Sequence, residues 1–176
     1  MHNGRITGIN SALISAFFLG LAPVFGKAAM GADKFSPLGV VALRTSLAAL
    51  LLILILAIVR RQWLFIYPAA FYITTLAGVI NGIGAIFYYV GLSKLPASVA
   101  QMLYSLYPFF VAFWLQLDRQ APSKLTFLRI GVAGISTYLL TQGIAGRIDI
   151  IGVAFMLIAA AMYALHLPIN QRVLYD

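Results

Sequence analysis

The sequence predicts an all-α integral membrane protein with six transmembrane helices, and three observations carry that prediction. The chain is 62% hydrophobic and only 9% charged, whereas a soluble domain covers its surface with about 25% charged residues. Apolar runs of bilayer-spanning length, roughly 20 residues, follow one another with short linkers between them. Runs such as SLAALLLILILAIV do not alternate, which excludes the strand barrel, whose spanning segments alternate over ~10 residues.

The first span runs from about Gly8 to Met30 and contains Pro23 and Lys27. Arg5 and the apolar stretch after it resemble the start of a signal peptide. The stretch is too long, however, and Pro23 and Lys27 interrupt it before any clean small-residue cleavage site. The second span is Pro37 to Val59, with Arg44 inside it. The third, about Pro68 to Leu92, and the fourth, Ala97 to Leu117, are joined by the short turn Lys94-Leu95-Pro96. They form a helical hairpin with small or weakly polar residues where backbones approach closely: Gly82, Gly84 and Gly91 on one side, Ser98, Gln101 and Ser105 on the other. The fifth span is Leu125 to Gly143 and the sixth Ile150 to Asn170. The linkers carry most of the charge, and none is long enough for a soluble domain.

A net charge of +8 in a soluble chain would suggest nucleic acid. Here the cations sit at helix ends, which is a pattern of membrane orientation, and no nucleic-acid partner is expected. Arg5, Arg60, Arg61, Arg119, Lys124 and Arg172 fall on one side of the membrane, and Lys34, Lys94 and Arg147 on the other. The excess places the N-terminus in the cytoplasm of a multi-pass protein of the plasma membrane, the inner membrane in a bacterium.

Chemistry on a substrate is not expected. The chain has no cysteine, so it holds no disulfide, thiolate metal site or redox motif. His2 and His166 lack metal-ligand spacing, and there is neither a Gly-rich phosphate loop nor a Ser-His-Asp set. No cofactor and no metal are implied.

The first span carries PVFGK, with Pro23 and Lys27; the sixth carries PINQR, with Pro168 and Arg172, at the same offset of 145 residues. The copies are five helices apart in chain order, an odd number, so the second is inverted in the membrane, as in the inverted repeats of secondary transporters. The stretch Asn81 to Phe110, with YYVGL, LPASVAQ and YP in that order, resembles the third and fourth helices of EamA-type transporters of the drug/metabolite transporter superfamily. That resemblance implies two five-helix repeats, ten helices in all, with both termini cytoplasmic. On it, residues 1–146 form one repeat and 147–176 the first helix of an inverted second repeat. The chain departs from the family pattern where a Glu usually follows the fourth helix; Asp118 stands there, followed by Arg119. It departs again in length: twice the repeat offset gives ~290 residues, so a second repeat, from the same gene product or from a homodimeric partner, is expected to complete it.

Polar residues within the spans are the candidate solute-binding residues. Arg44 lies roughly 10 Å into the second helix at 1.5 Å per residue. A charge at the bilayer centre costs about 2.5–3.5 kcal/mol on insertion scales. Arg44 therefore either snorkels or bonds backbone carbonyls, or lines a cavity and attracts anionic groups. Lys27 lies at similar depth and fits snorkelling; Arg129, near the start of the fifth helix, fits it better. Helical spacing places Asn81, Gly84, Ala85 and Tyr88 on one face of the third helix, and Gln101, Tyr104, Ser105 and Pro108 on one face of the fourth. Tyr163, His166 and Asn170 share a face of the sixth. These stripes suit either a wet central cavity or interhelical hydrogen bonding. Phe17, Phe18, Phe109, Phe110 and Phe113 are expected to face lipid or pack in the core.

The chain has no Glu, and Asp33, Asp118, Asp149 and Asp176 all lie in loops or at helix ends. His166 is the only mid-span group that titrates near neutral pH. Facilitated diffusion or exchange thus fits as well as proton coupling. The implied function is alternating-access movement of a small metabolite or drug-like solute, an amino acid or organic anion foremost, across the bilayer; a non-transporting membrane scaffold is the alternative. Orientation is directly testable because the chain lacks cysteine. An impermeant maleimide applied to intact cells should label Lys94→Cys and leave Arg60→Cys unlabelled; labelling at 60 with none at 94 would reverse the assignment.

Overall fold

A computed structural model describes residues 2–31, 35–65, 67–117, 124–141 and 148–175. It is helical, with no strand among the described residues. Helix α1 spans His2–Met30 with Pro23 inside it. Helix α2, Pro37–Val59, starts with Pro37 in its first turn, where a missing N–H costs nothing. Ser36 caps it, its Oγ accepting from the Gly39 N–H at 3.1 Å. A single 3-10 turn, Arg61–Leu64, follows. Helix α3, Pro68–Lys94, again opens on proline.

The fourth expected span is two helices rather than one: α4, Ala97–Tyr104, and α5, Tyr107–Leu117. Pro108 has no N–H to give the Tyr104 carbonyl, and the chain tightens into a turn there. Leu106 N–H bonds the Leu103 carbonyl at 3.2 Å and Phe109 N–H bonds the Leu106 carbonyl at 2.9 Å. The Ser105 hydroxyl donates back to the Met102 carbonyl at 2.6 Å. Helix α6, Lys124–Thr141, covers the fifth expected span as far as Thr141. Helix α7, Ile150–Tyr175, contains Pro168. It is capped by Asp149, whose Oδ1 accepts from Ile151 N–H at 2.8 Å and Gly152 N–H at 3.2 Å.

Among the described residues, five stretches can cross a bilayer by length and apolarity: Gly8–Met30, Pro37–Val59, Ala70–Lys94, Ala97–Leu117 and Ile150–Gln171. Their outer faces are apolar and exposed. Leu50 on α2 is 66% exposed and Phe17 on α1 64%, an arrangement that only hydrocarbon tolerates. Phe18, Phe109 and Phe113 are also exposed.

Helix α3 is the hub and makes its most extensive contact with α7. Glycine permits this. A Cβ on Gly91 would lie 2.7 Å from Met156 Sδ and 3.1 Å from the Gly152 carbonyl. One on Gly84 would lie 3.1 Å from Met162 Cβ, and one on Gly152 would lie 2.9 Å from Leu95 Cγ. With these side chains absent the two backbones come close, and Leu92, Leu95, Met156 and Ala159 are buried between them.

Three helix ends meet at one end of the bundle. Lys27, near the end of α1, bonds the last turn of α3 through the Leu92 carbonyl. Lys94, the last residue of α3, pairs with Asp149 at the start of α7 at 3.5 Å. Helix α1 therefore ends where α7 begins, and the two run in opposite directions. The backbone N–H groups of Gly152 and Ile151 and the nearby Lys94 ammonium hold the Asp149 carboxyl below the ordinary aspartate range, so this junction keeps its charge at neutral pH and loses it only as the pH falls through that lowered value. Helix α2 starts beside Lys27 and runs away from this end, so Arg60 lies at the opposite end from Lys94. Lys34, Arg119, Arg147 and Arg172 are outside the described side chains, as is Arg129.

The α3–α7 contact makes a differential prediction. Gly91→Val should destabilise the protein by about 1–3 kcal/mol through overpacking, read as a lowered unfolding temperature in detergent. Gly82→Ala on the same helix meets nothing within 4 Å and should leave that temperature unchanged or slightly raised. Equal losses for both variants would contradict the packing.

Candidate functional site

Two consecutive tyrosines on α3 serve two sides of the helix, because neighbouring helical residues point about 100° apart. Tyr88 turns toward α4, and its hydroxyl donates to Gln101 Oε1 at 3.0 Å. Tyr89 turns toward α1 and α2. Its ring lies against Gly26, where a Cβ would sit 2.6 Å from Cε1, so glycine is what lets Tyr89 reach between those helices. Arg44 Nη1 donates to the Tyr89 hydroxyl at 3.3 Å, and the guanidinium carbon stands 6.0 Å from the Tyr89 ring centre. Tyr89 is 2% exposed.

From Tyr88 an aromatic path crosses the bundle. The Tyr88 ring meets Tyr104 edge-on at 4.9 Å, Tyr104 meets Tyr163 at 5.4 Å, and Tyr163 meets Tyr107 at 5.1 Å and His166 at 5.0 Å. The break between α4 and α5 builds this junction, since Tyr104 and Tyr107 flank it and both reach Tyr163 on α7. The two edge-to-face pairs, Tyr88–Tyr104 and Tyr107–Tyr163, contribute about 0.5–1.5 kcal/mol each beyond their buried area. Trp114 ties α5 to α7 by donating its indole N–H to the Ala161 carbonyl at 3.2 Å. His166 Nδ1 lies 2.7 Å from the Tyr163 carbonyl. A carbonyl only accepts, so Nδ1 carries a proton and the ring is oriented by its own helix.

Of the residues singled out from sequence, Arg44, Tyr88, Gln101, Tyr104 and His166 fall on this connected path through Tyr89 and Tyr163. Three do not. Lys27 spends all three ammonium donors on the end of α3, at 2.6 Å to the Leu92 carbonyl and 2.9 Å to those of Ser93 and Leu95. These are carbonyls a helix end leaves without intrahelical partners, so Lys27 neither snorkels outward nor points at the path. Asn81 is exposed, away from buried Gly84 and Tyr88, because the α7 contact takes only part of the stripe that helical spacing defines. Asn170 is half-buried and makes no hydrogen bond among the described residues. The fourth helix's stripe is also divided: Ser105 is exposed in the turn, since helical spacing does not carry across the break. Tyr89, Tyr107 and Trp114 were not foreseen. An aromatic in a lipid-facing sequence carries no mark of which side it packs on, although Gly26 opposite a tyrosine pair was a usable signal.

Two cavities lie against α1 and α2. One, of about 550 Å³, lies at the Lys94 end among Lys27, Met30, Phe35, Pro37 and Ser93. The other, of about 340 Å³, lies between α1 and α2, with Tyr89 and Arg44 in its lining. Among the described residues no three His or acidic side chains cluster to hold a metal. The chemistry on offer is recognition: one guanidinium, a chain of phenols and an amide, in an otherwise apolar membrane bundle.

Comparison with known proteins agrees with that description. No curated protein and no solved structure matches the chain. The model of the EamA-like transporter family matches residues 6–142, from α1 to just beyond α6. The chain is thus a multi-pass membrane protein that belongs to the EamA-like transporter family, within the drug/metabolite transporter superfamily.

Proposed function

We propose that this transporter moves a small organic anion or amino acid by alternating access, and that Arg44 attracts the solute's acidic group. The observation that carries this reading is the isolation of Arg44. It lies within a span, and its hydrogen bond is to a neutral phenol. An ion pair joins Lys94 to Asp149, at the end of the bundle and away from Arg44. Asp149, the one acidic side chain among the described residues, sits at the start of α7. A guanidinium held in a membrane without a carboxylate beside it is costly, and an anionic solute supplies the missing charge. Tyr88, Gln101 and Tyr104 line the route beyond it and offer hydroxyl and amide groups to a polar solute, with His166 at the far end.

In this reading residues 1–146 are a five-helix repeat and 147–176 open an inverted second repeat. The opposite directions of α1 and α7, each with an internal proline, support it. The second repeat, or a second copy of the chain, closes the other side of the path. The N-terminus lies in the cytoplasm and the protein in the plasma membrane. Lys27 acts by fixing α1 to α3, and solute movement needs no buried carboxylate.

In proteoliposomes, Arg44→Gln should raise the KM for a transported acid at least tenfold with the unfolding temperature held within a few degrees. Collapse of that temperature together with flux would show that Arg44 is structural and contradict its role in solute binding.

A further inference from the structure

We infer that the groove between α1 and α2 selects amphiphilic acids: solutes with one carboxylate or similar group and an apolar body of several carbons. The inference rests on the anion-transport reading and adds to it the class of solute. The groove is about 340 Å³, at the small end of small-molecule sites, which run roughly 300–1,000 Å³. Its walls are Phe25 and Gly26 from α1 and Leu43 and Leu47 from α2, with Tyr89 beneath and Arg44 as its one charged group. Phe25, Leu43 and Leu47 are 67%, 58% and 55% exposed, so the groove opens sideways to hydrocarbon.

Two features of this lining act on different parts of a ligand. A guanidinium carries five N–H donors in a planar fork that matches a carboxylate. One of them is engaged, by Tyr89 at 3.3 Å, which steadies the fork and leaves the others for an acid. Apart from the Tyr89 hydroxyl, which Arg44 engages, the walls offer no polar side chain to a hydroxyl or ammonium on the rest of the solute. A hydrophilic acid would therefore gain only the contact with Arg44. Each methylene laid along Phe25, Leu43 and Leu47 adds about 0.8 kcal/mol, or roughly fourfold in affinity. The volume suits a single short apolar body and leaves little room for a two-tailed lipid.

The test is a series of labelled straight-chain carboxylates, butanoate to octanoate, bound to the protein in nanodiscs of zwitterionic lipid, with binding to empty discs subtracted. Affinity should rise about fourfold per methylene until the groove is full. Leu47→Gln should flatten that rise, weakening octanoate more than butanoate. Arg44→Gln should weaken every member at least tenfold, and Arg44→Lys should recover part of the loss, which separates lost charge from lost folding. Specific binding that is sensitive to Arg44 but independent of chain length would overturn the amphiphile inference and leave the anion reading standing. No specific binding of any member would overturn both. If adding anionic phospholipid to the discs abolishes binding, the partner of Arg44 is a lipid headgroup, and the inference also falls.

Discussion

The close approach of α3 and α7 is the contact on which the rest of the structure depends. In lipid there is no hydrophobic drive to bring helices together, so association rests on packing and a few hydrogen bonds. Gly84, Gly91 and Gly152 supply that packing by giving Met162, Met156 and Leu95 room against bare backbone. With α7 fixed on α3, Tyr163 stands where Tyr104 and Tyr107 can meet it, and Trp114 can reach the Ala161 carbonyl. A side chain at Gly91 would therefore disturb the aromatic path as well as the helix pair.

Charge in this protein is sorted by position. At the Lys94 end, three cation-bearing or acid-bearing helix termini neutralise one another: Lys27 on the carbonyls of α3, and Lys94 with Asp149 at the start of α7. Hydrogen bonds from a charged group such as Lys27 are worth about 1.5–3 kcal/mol, enough to hold α1 to α3 where their apolar contact is modest. Among the described residues, Arg44 lies within a span with no carboxylate against it. Under the proposed function that isolation has a purpose, since a permanently neutralised Arg44 would have nothing to offer an anion.

Most of the fold was legible in the sequence because the bilayer enforces it. Apolar length alone placed α2 at Pro37–Val59 and the other helices within a few residues. The break at Ser105 and Leu106 was not legible, although Pro108 was in plain view. Transmembrane helices often absorb a proline without breaking, and whether they do depends on what the neighbouring helix offers, here Tyr163 on α7. The site was legible only in part. Helical spacing gathered Tyr88, Gln101, Tyr104 and His166, whose faces turn toward one another, but it also gathered Asn81, whose face α7 does not reach. Lys27 could not be placed from sequence, since its partners are backbone carbonyls 65–68 residues away and carbonyls leave no trace in residue type.

The packing of α7 on the glycine face of α3 can be tested by a disulfide in a chain that has no cysteine of its own. A Cβ at Gly84 would stand 3.1 Å from that of Met162, within a small adjustment of the 3.5–4.5 Å that disulfides adopt. The Gly84→Cys, Met162→Cys double variant should form an intramolecular crosslink on mild oxidation in membranes, and Gly82→Cys with Met162→Cys should not. Crosslinking from position 82 and none from 84 would contradict the packing.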